Sequence, residues 1–79
     1  MNDAAETVAK VLTESVLTIA EAIVVIEKTT HVRPHRGTIH RWIKRGMGGV
    51  KLEAVRVGNQ TLTSAQASNR VITARTAAL

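Results

Sequence analysis

The chain has 79 residues, no cysteine and one aromatic residue, Trp42, and its formal net charge is +5. A chain of this length forms one small domain with a marginal core, and the lack of cysteine excludes disulfide bonds and thiolate metal sites. The longest apolar run, residues 16–26, is too short to span a bilayer, and the acidic N-terminus differs from a secretory signal, so we expect a soluble protein.

The N-terminal region, residues 1–15, is predicted to be an arm or a short helix. Asp3 can cap a helix over residues 3–13, and Glu6, three residues later, would complete a capping box. The apolar residues of this helix would share one side: Val8, Val11 and Leu12.

A second capping box precedes the next helix. Thr18 and Glu21 form the pattern Thr-x-x-Glu. Apolar residues then recur at the spacing of one helical face: Ile19, Ala22, Ile23 and Ile26. The β-branched run over residues 23–26 would suit a strand equally well by propensity. The capping box and the periodicity favour a helix from about residue 19 to residue 27.

A turn and a short basic helix follow. Pro34 disfavours the helical conformation of the residue before it, which predicts a turn from Glu27 to Gly37. The next helix is expected over residues 36–45, with Gly46 ending it in a left-handed conformation. Its apolar residues share one face: Ile39, Trp42 and Ile43. This spacing assigns Trp42 to the core rather than to stacking on a base.

A β-hairpin is predicted after Gly48-Gly49. Residues 54–57 and 60–63 flank Gly58-Asn59, a two-residue loop of the kind that tolerates positive φ. This loop places Val55 opposite Leu62 on an apolar face, and Arg56 opposite Thr61 on a polar face.

A final helix is predicted after the hairpin. Thr63 and Ser64, with Gln66 nearby, are expected to cap it. Its inward positions would be Ala65, Ser68, Val71 and Ile72. Residues 74–79 are expected to form a frayed tail.

Charge is unevenly distributed along the chain. Residues 1–27 hold five acidic residues and one basic residue, whereas residues 28–56 hold eight basic residues and one acidic residue, Glu53. Such segregation is typical of a phosphate-binding face, because cations that neutralise phosphates release condensed counterions. An ordinary solvated surface could also carry this charge.

Neither an enzyme nor a cofactor is predicted. The carboxylates lie mostly in the acidic third, the histidines lie in the basic region, and neither a glycine-rich phosphate loop nor a nucleophile elbow is present. The spacing of His31, His35 and His40 does not bring all three to one helical face, so no metal site is expected. His35 and His40 are instead candidates for contacting phosphate or for making affinity depend on pH.

Three blocks of the chain resemble the excisionase-like and MerR-like winged-helix families of bacteria and their phages. The blocks are LTIAEA at residues 17–22, TIHRWIKRG at residues 38–46 and AVRVG at residues 54–58. They occur in the order found in those families, and the resemblance covers about residues 16–73. It implies a mainly α domain with a small β-hairpin, folded as a winged helix-turn-helix.

The resemblance implies that the protein binds double-stranded DNA. The helix over residues 36–45 would lie in the major groove and the hairpin over residues 54–62 would lie along the backbone. Family members regulate transcription, or bend DNA and direct recombination. The candidate DNA contacts are Arg33, Arg36, Thr38, His40, Arg41, Lys44, Arg45, Lys51, Arg56, Asn59 and Gln60.

Two departures from those families are visible. The turn from Glu27 to Gly37 is longer than the usual connection, and the chain lacks a long coiled coil and an effector domain. We therefore expect no small-molecule effector. The expected location is the cytoplasm, at the nucleoid. The expected partners are double-stranded DNA and either a second copy of the chain or another DNA-bound protein.

Two other functions fit parts of the sequence. The acidic, aliphatic N-terminal third could dock on a protein partner, with Val24-Val25 leaving apolar surface exposed. RNA binding is a further alternative, but exposed stacking aromatics, on which readers of single-stranded RNA usually depend, are missing. The leading hypothesis remains a non-enzymatic, sequence-preferring DNA-binding protein.

Overall fold

A computed structural model describes residues 3–46 and 49–77. These residues form four helices and three strands, in the order α1 (Asp3–Leu12), β1 (Val16–Thr18), α2 (Ile19–Thr30), α3 (Arg36–Lys44), β2 (Val55–Val57), β3 (Gln60–Ser64) and α4 (Ala65–Ala77). The expected combination of a mainly helical domain with a small amount of β-structure is therefore confirmed.

The strands form a three-stranded antiparallel sheet in the order β1-β3-β2. The predicted register of the β2–β3 hairpin is confirmed, since Val55 pairs with Leu62 and Arg56 pairs with Thr61. Gly58 in the loop has a φ of 59°, as its position requires. Strand β1 is not predicted from the sequence. It has only three residues, too few to show an alternating pattern, and its partner, β3, lies far along the chain.

Helix α2 begins at the predicted capping box. The Glu21 amide donates to Thr18 Oγ1 at 3.1 Å, and the Thr18 amide donates to Glu21 Oε1 at 2.8 Å. The helix then continues to Thr30, beyond the predicted end near residue 27. The threonines do not stop it, because the hydroxyls of Thr29 and Thr30 donate to carbonyl groups one turn earlier.

The connection between α2 and α3 is shorter than the sequence predicts. It runs only over residues 31–35, because α2 extends to Thr30 and α3 begins at Arg36. His31 ends α2 in the left-handed region, with a φ of 61°, and its amide donates to the Glu27 carbonyl. The predicted turn therefore begins too early, whereas the predicted start of the next helix at residue 36 is confirmed.

Helix α3 packs its apolar face on the core, as predicted. Ile39 is fully buried and Trp42 is only 7% exposed. Gly46 follows the helix with a φ of 77°, and its amide donates to the Arg41 carbonyl at 3.3 Å. The Leu52 amide donates to the Trp42 carbonyl at 2.9 Å, so the segment before β2 is attached to the end of α3.

Helix α4 is capped by Ser64, as predicted, but Gln66 does not contribute to the cap. Ser64 accepts a hydrogen bond from the Ala67 amide, whereas the Gln66 side chain accepts one from the Ser15 amide. Ala67 is buried in place of Ala65, which is half-buried. The helix continues to Ala77, past the predicted end at Thr73. The core therefore joins three helices and the segment before β2: Ile19, Ile23, Ile26, Ile39, Trp42, Leu52, Ala67 and Val71.

Candidate nucleic-acid interface

A groove of about 420 Å³ runs between α3 and the β2–β3 hairpin. Its walls include Arg36 and His40 from α3 and Arg56 from β2, and its floor reaches the start of α2. A neighbouring hollow shares His40 and Arg56 and adds Lys44. We call this continuous surface the cationic groove, defined by Arg36, His40, Lys44, Arg56, Asn59 and Gln60.

Helical spacing and strand register place these side chains together. Arg36, His40 and Lys44 are four residues apart, so they lie on one side of α3. Burial of Ile39 fixes the rotation of the helix, so that this side faces the hairpin. On β2, Val55 is buried, which turns the next side chain, Arg56, to the outer face of the sheet.

The charges of the groove are exposed and have no opposite partner among the described residues. Arg36, His40, Lys44 and Arg56 are exposed, and across residues 3–46 and 49–77 their side chains make neither a hydrogen bond nor an ion pair. No carboxylate is among the described residues that line the groove. The first turn of α2 also lines it, so the positive end of that helix dipole adds to the potential. The groove therefore attracts anions.

The other predicted contacts lie outside the groove. Arg41, Arg45 and Lys51 are exposed but do not line it. Arg33 and Thr38 line a separate hollow on the far side of α3, with an apolar floor formed by Ile26, Trp42 and Ile72. Arg33 is also paired with Glu27, at 2.9 Å between guanidinium and carboxylate. The structure thus brings together six of the eleven predicted residues.

The contribution of α2 to this surface is not predicted from the sequence. The capping box at Thr18 locates the start of that helix, but only the tertiary fold places Thr18, Ile19 and Ala20 against Arg36 and Arg56. Thr61 of β3 joins the groove because it is paired with Arg56.

A second charged cluster lies elsewhere and is fully paired. Arg70 of α4 donates to both carboxylate oxygens of Glu14, at 2.7 and 3.0 Å, and to Glu53 at 2.7 Å. Lys10 of α1 pairs with Glu53 at 3.2 Å. We call Lys10, Glu14, Glu53 and Arg70 the ion-pair network. Glu53, the one acidic residue of the basic region, therefore does not offset the charge of the groove.

The ion-pair network changes the titration of its members. Hydrogen bonds from Arg70 and then from the Ser64 hydroxyl lower the pKa of Glu14 from 4.5 to about 2. Donating these hydrogen bonds to Glu14 also raises the pKa of Arg70 above its usual range. Both groups are therefore charged at neutral pH, and their interaction stabilises the folded chain.

Neither a metal-binding cluster nor a membrane-spanning helix is present in residues 3–46 and 49–77. No group of three histidine, aspartate or glutamate side chains in this part of the chain could hold a metal ion. None of its helices has the length and apolar character needed to cross a membrane.

A family model described as a protein of unknown function (DUF1580) matches residues 19–76. The chain belongs to this family. The DUF1580 segment contains α2, α3, the β2–β3 hairpin and nearly all of α4, and therefore all six residues that define the cationic groove. The comparison with curated proteins and the comparison with solved structures gave no match.

Proposed function

We propose that this DUF1580 protein binds double-stranded DNA through the cationic groove, as a winged helix-turn-helix. The observation that carries the proposal is a line of cationic side chains between α3 and the hairpin, Arg36, Lys44 and Arg56, which have no partner among residues 3–46 and 49–77. A polyanion would neutralise these charges together, and the release of its counterions would favour binding.

The order of the elements supports the winged helix-turn-helix. Helices α2 and α3 are joined by a five-residue connection, residues 31–35, and the β2–β3 hairpin follows α3 and lies beside it. In the proposal α2 and α3 are the helix-turn-helix pair, and the hairpin is the wing. Strand β1 pairs with β3, which holds the wing against the start of α2.

The groove residues would divide between bases and backbone. Arg36 lies in the first turn of α3, where a recognition helix reaches base edges in the major groove. An arginine there can donate two hydrogen bonds to a guanine, which would give sequence preference. Lys44, Arg56 and the wing-tip residue Asn59 would contact phosphates, and they would set affinity and register.

The residues outside the groove fit a wider contact surface. Arg41, Arg45 and Lys51 are exposed cations that could reach phosphates on either side of the docked helix. Such a protein would act as a transcription regulator or as an excisionase-like architectural factor in recombination. Both roles require the same DNA-binding surface.

A duplex titration tests the proposal. Fluorescence anisotropy of a labelled random duplex should show binding at low salt that weakens steeply as salt rises. Replacing Arg36 and Arg56 with methionine should lower affinity roughly 10- to 100-fold and, through the lost phosphate contact of Arg56, reduce the salt slope by about 1.

A matched variant separates the groove from net charge. Lys28→Met with Arg75→Met removes the same two charges from exposed positions outside the groove. We expect this control to bind nearly as tightly as the unaltered chain. Equal losses in the two double variants, or no binding at low salt, would overturn the proposal.

A second candidate function rests on a different surface. Leu17, Ala20, Val24 and Val25 line a shallow apolar hollow on α2, and Val24 is 40% exposed. This surface could dock a protein partner. Sedimentation velocity that shows a stable oligomer, lost in Val24→Lys, together with no DNA binding, would favour this function over the first.

A further inference from the structure

His40 lies at the centre of the cationic groove and lines both of its parts. Arg36 stands one helical turn before it and Lys44 one turn after it, while Arg56 faces it from β2. The imidazole is exposed, and no hydrogen bond fixes it within the described chain. It is therefore free to meet a ligand.

The other elements that face His40 bring no negative charge. From the start of α2 come Thr18, Ile19 and Ala20, and from β3 come Gln60 and Thr61, all of them uncharged. The acid nearest to the start of α2 is Glu21, but its carboxylate accepts the Thr18 amide at 2.8 Å and it lines the hollow on the other side of α2. Everything described that faces the imidazole is thus cationic or neutral.

An anion bound in the groove would favour a protonated ring at position 40. Phosphates that pair with Arg36, Lys44 and Arg56 would lie close to the imidazole. A nearby negative charge favours the imidazolium, which donates from both nitrogens.

We propose that His40 binds DNA as the imidazolium and takes up its proton from solvent as DNA enters the groove. The inference rests on the proposed function and adds a pH dependence to it. Affinity is high below the range in which a histidine ordinarily titrates, about pH 6.5, and falls as the pH rises through that range. When binding takes up one proton, Kd can change by at most about tenfold per pH unit.

The other two histidines provide matched controls outside the groove. His31 ends α2, and His35 precedes α3 and lines the hollow on the opposite side of that helix. Replacing both, as His31→Asn with His35→Gln, removes two titrating rings while leaving His40 in place. Asparagine suits the left-handed conformation at position 31.

The experiment measures duplex affinity at constant ionic strength at about pH 5.5, 6.5 and 7.5. We expect Kd for the unaltered chain and the double control to rise about tenfold across the series, and Kd for His40→Gln to change less than about twofold. Calorimetry at about pH 6.5 in two buffers of different ionisation enthalpy should show roughly half a proton taken up, and none for His40→Gln.

Each other outcome is decisive. DNA binding that does not depend on pH, or a pH dependence that persists in His40→Gln, overturns the inference and leaves the proposed function standing. An absence of DNA binding throughout the series overturns both. Circular dichroism should show that His40→Gln is folded, since the side chain it replaces is exposed.

Discussion

The cationic groove and the ion-pair network use the same residue types for opposite purposes. In the network, Arg70 is held between Glu14 and Glu53 at hydrogen-bonding distance, and all three side chains are partly withdrawn from water. In the groove, Arg36 and Arg56 are exposed, and no described carboxylate faces them. Arg70 has two carboxylate partners and helps to hold the fold together. The arginines of the groove have no such partner among the described residues, so they are available to a ligand.

The difference also concerns free energy. Charges of the network are satisfied when the chain folds, so they contribute to stability. Charges of the groove repel one another in the folded chain, and an anionic ligand relieves that repulsion. Substitutions in one region should therefore affect stability, and substitutions in the other should affect binding.

The strongest test of this separation is Arg70→Met. The substitution keeps an apolar stem but leaves Glu14 and Glu53 without their shared partner, so we expect Tm to fall by roughly 10 °C. Arg36→Met should leave Tm within about 2 °C of its original value, because its guanidinium has no partner in the described fold. Thermal unfolding followed by circular dichroism measures both. Similar Tm losses in the two variants would contradict the separation.

Acid should weaken the ion-pair network between about pH 4.5 and pH 2. The pKa of Glu14 is lowered from 4.5 to about 2 in the folded chain, so its contribution to stability is complete above pH 4.5 and is lost as the pH falls towards 2. We expect Tm to fall over that range and to fall less steeply in Glu14→Gln. Parallel Tm profiles for the two proteins would show that Glu14 is not responsible.

A smaller loss of stability is expected at Thr18, which caps α2 and also lines the groove. Thr18→Ala removes the hydroxyl that accepts the Glu21 amide, which should cost about 1 kcal/mol of unfolding free energy. Thr18→Ser keeps an acceptor and should recover most of that loss. Denaturant unfolding measures the difference. An equal loss in both variants would assign the effect to the methyl group of Thr18 rather than to its cap.

The smallest effect is expected at Arg33. Its ion pair with Glu27 joins side chains that are 61% and 44% exposed, so Arg33→Met should change Tm by less than about 2 °C. Because Arg33 lies across α3 from the groove, we also expect a smaller loss of DNA affinity than in Arg36→Met. A larger loss would extend the contact surface around the start of α3.

Local signals predict much of this fold. The capping box at Thr18 and Glu21, the buried face of α3 and the register set by Gly58-Asn59 all depend on residues a few positions apart. For the same reason, the sequence could bring most of the groove together, since Arg36, His40 and Lys44 share one helix face.

Contacts between distant segments could not be predicted in this way. Strand β1 exists only because β3 lies beside it, and the Glu14–Arg70 ion pair joins the end of α1 to α4. The separation of Arg33 from the groove also depends on where α2 ends, which is at His31 with its left-handed backbone. Periodicity and spacing carry no information about such pairings.

The free side chains of the groove have a consequence for how this family can evolve. Arg36, His40, Lys44 and Arg56 hold nothing else in place within the described chain, so exchanging them should cost little folding free energy. Mutations at these four positions can therefore accumulate without compensating changes in the core. New binding preferences could then arise in DUF1580 proteins by single substitutions, while the scaffold that presents them stays the same.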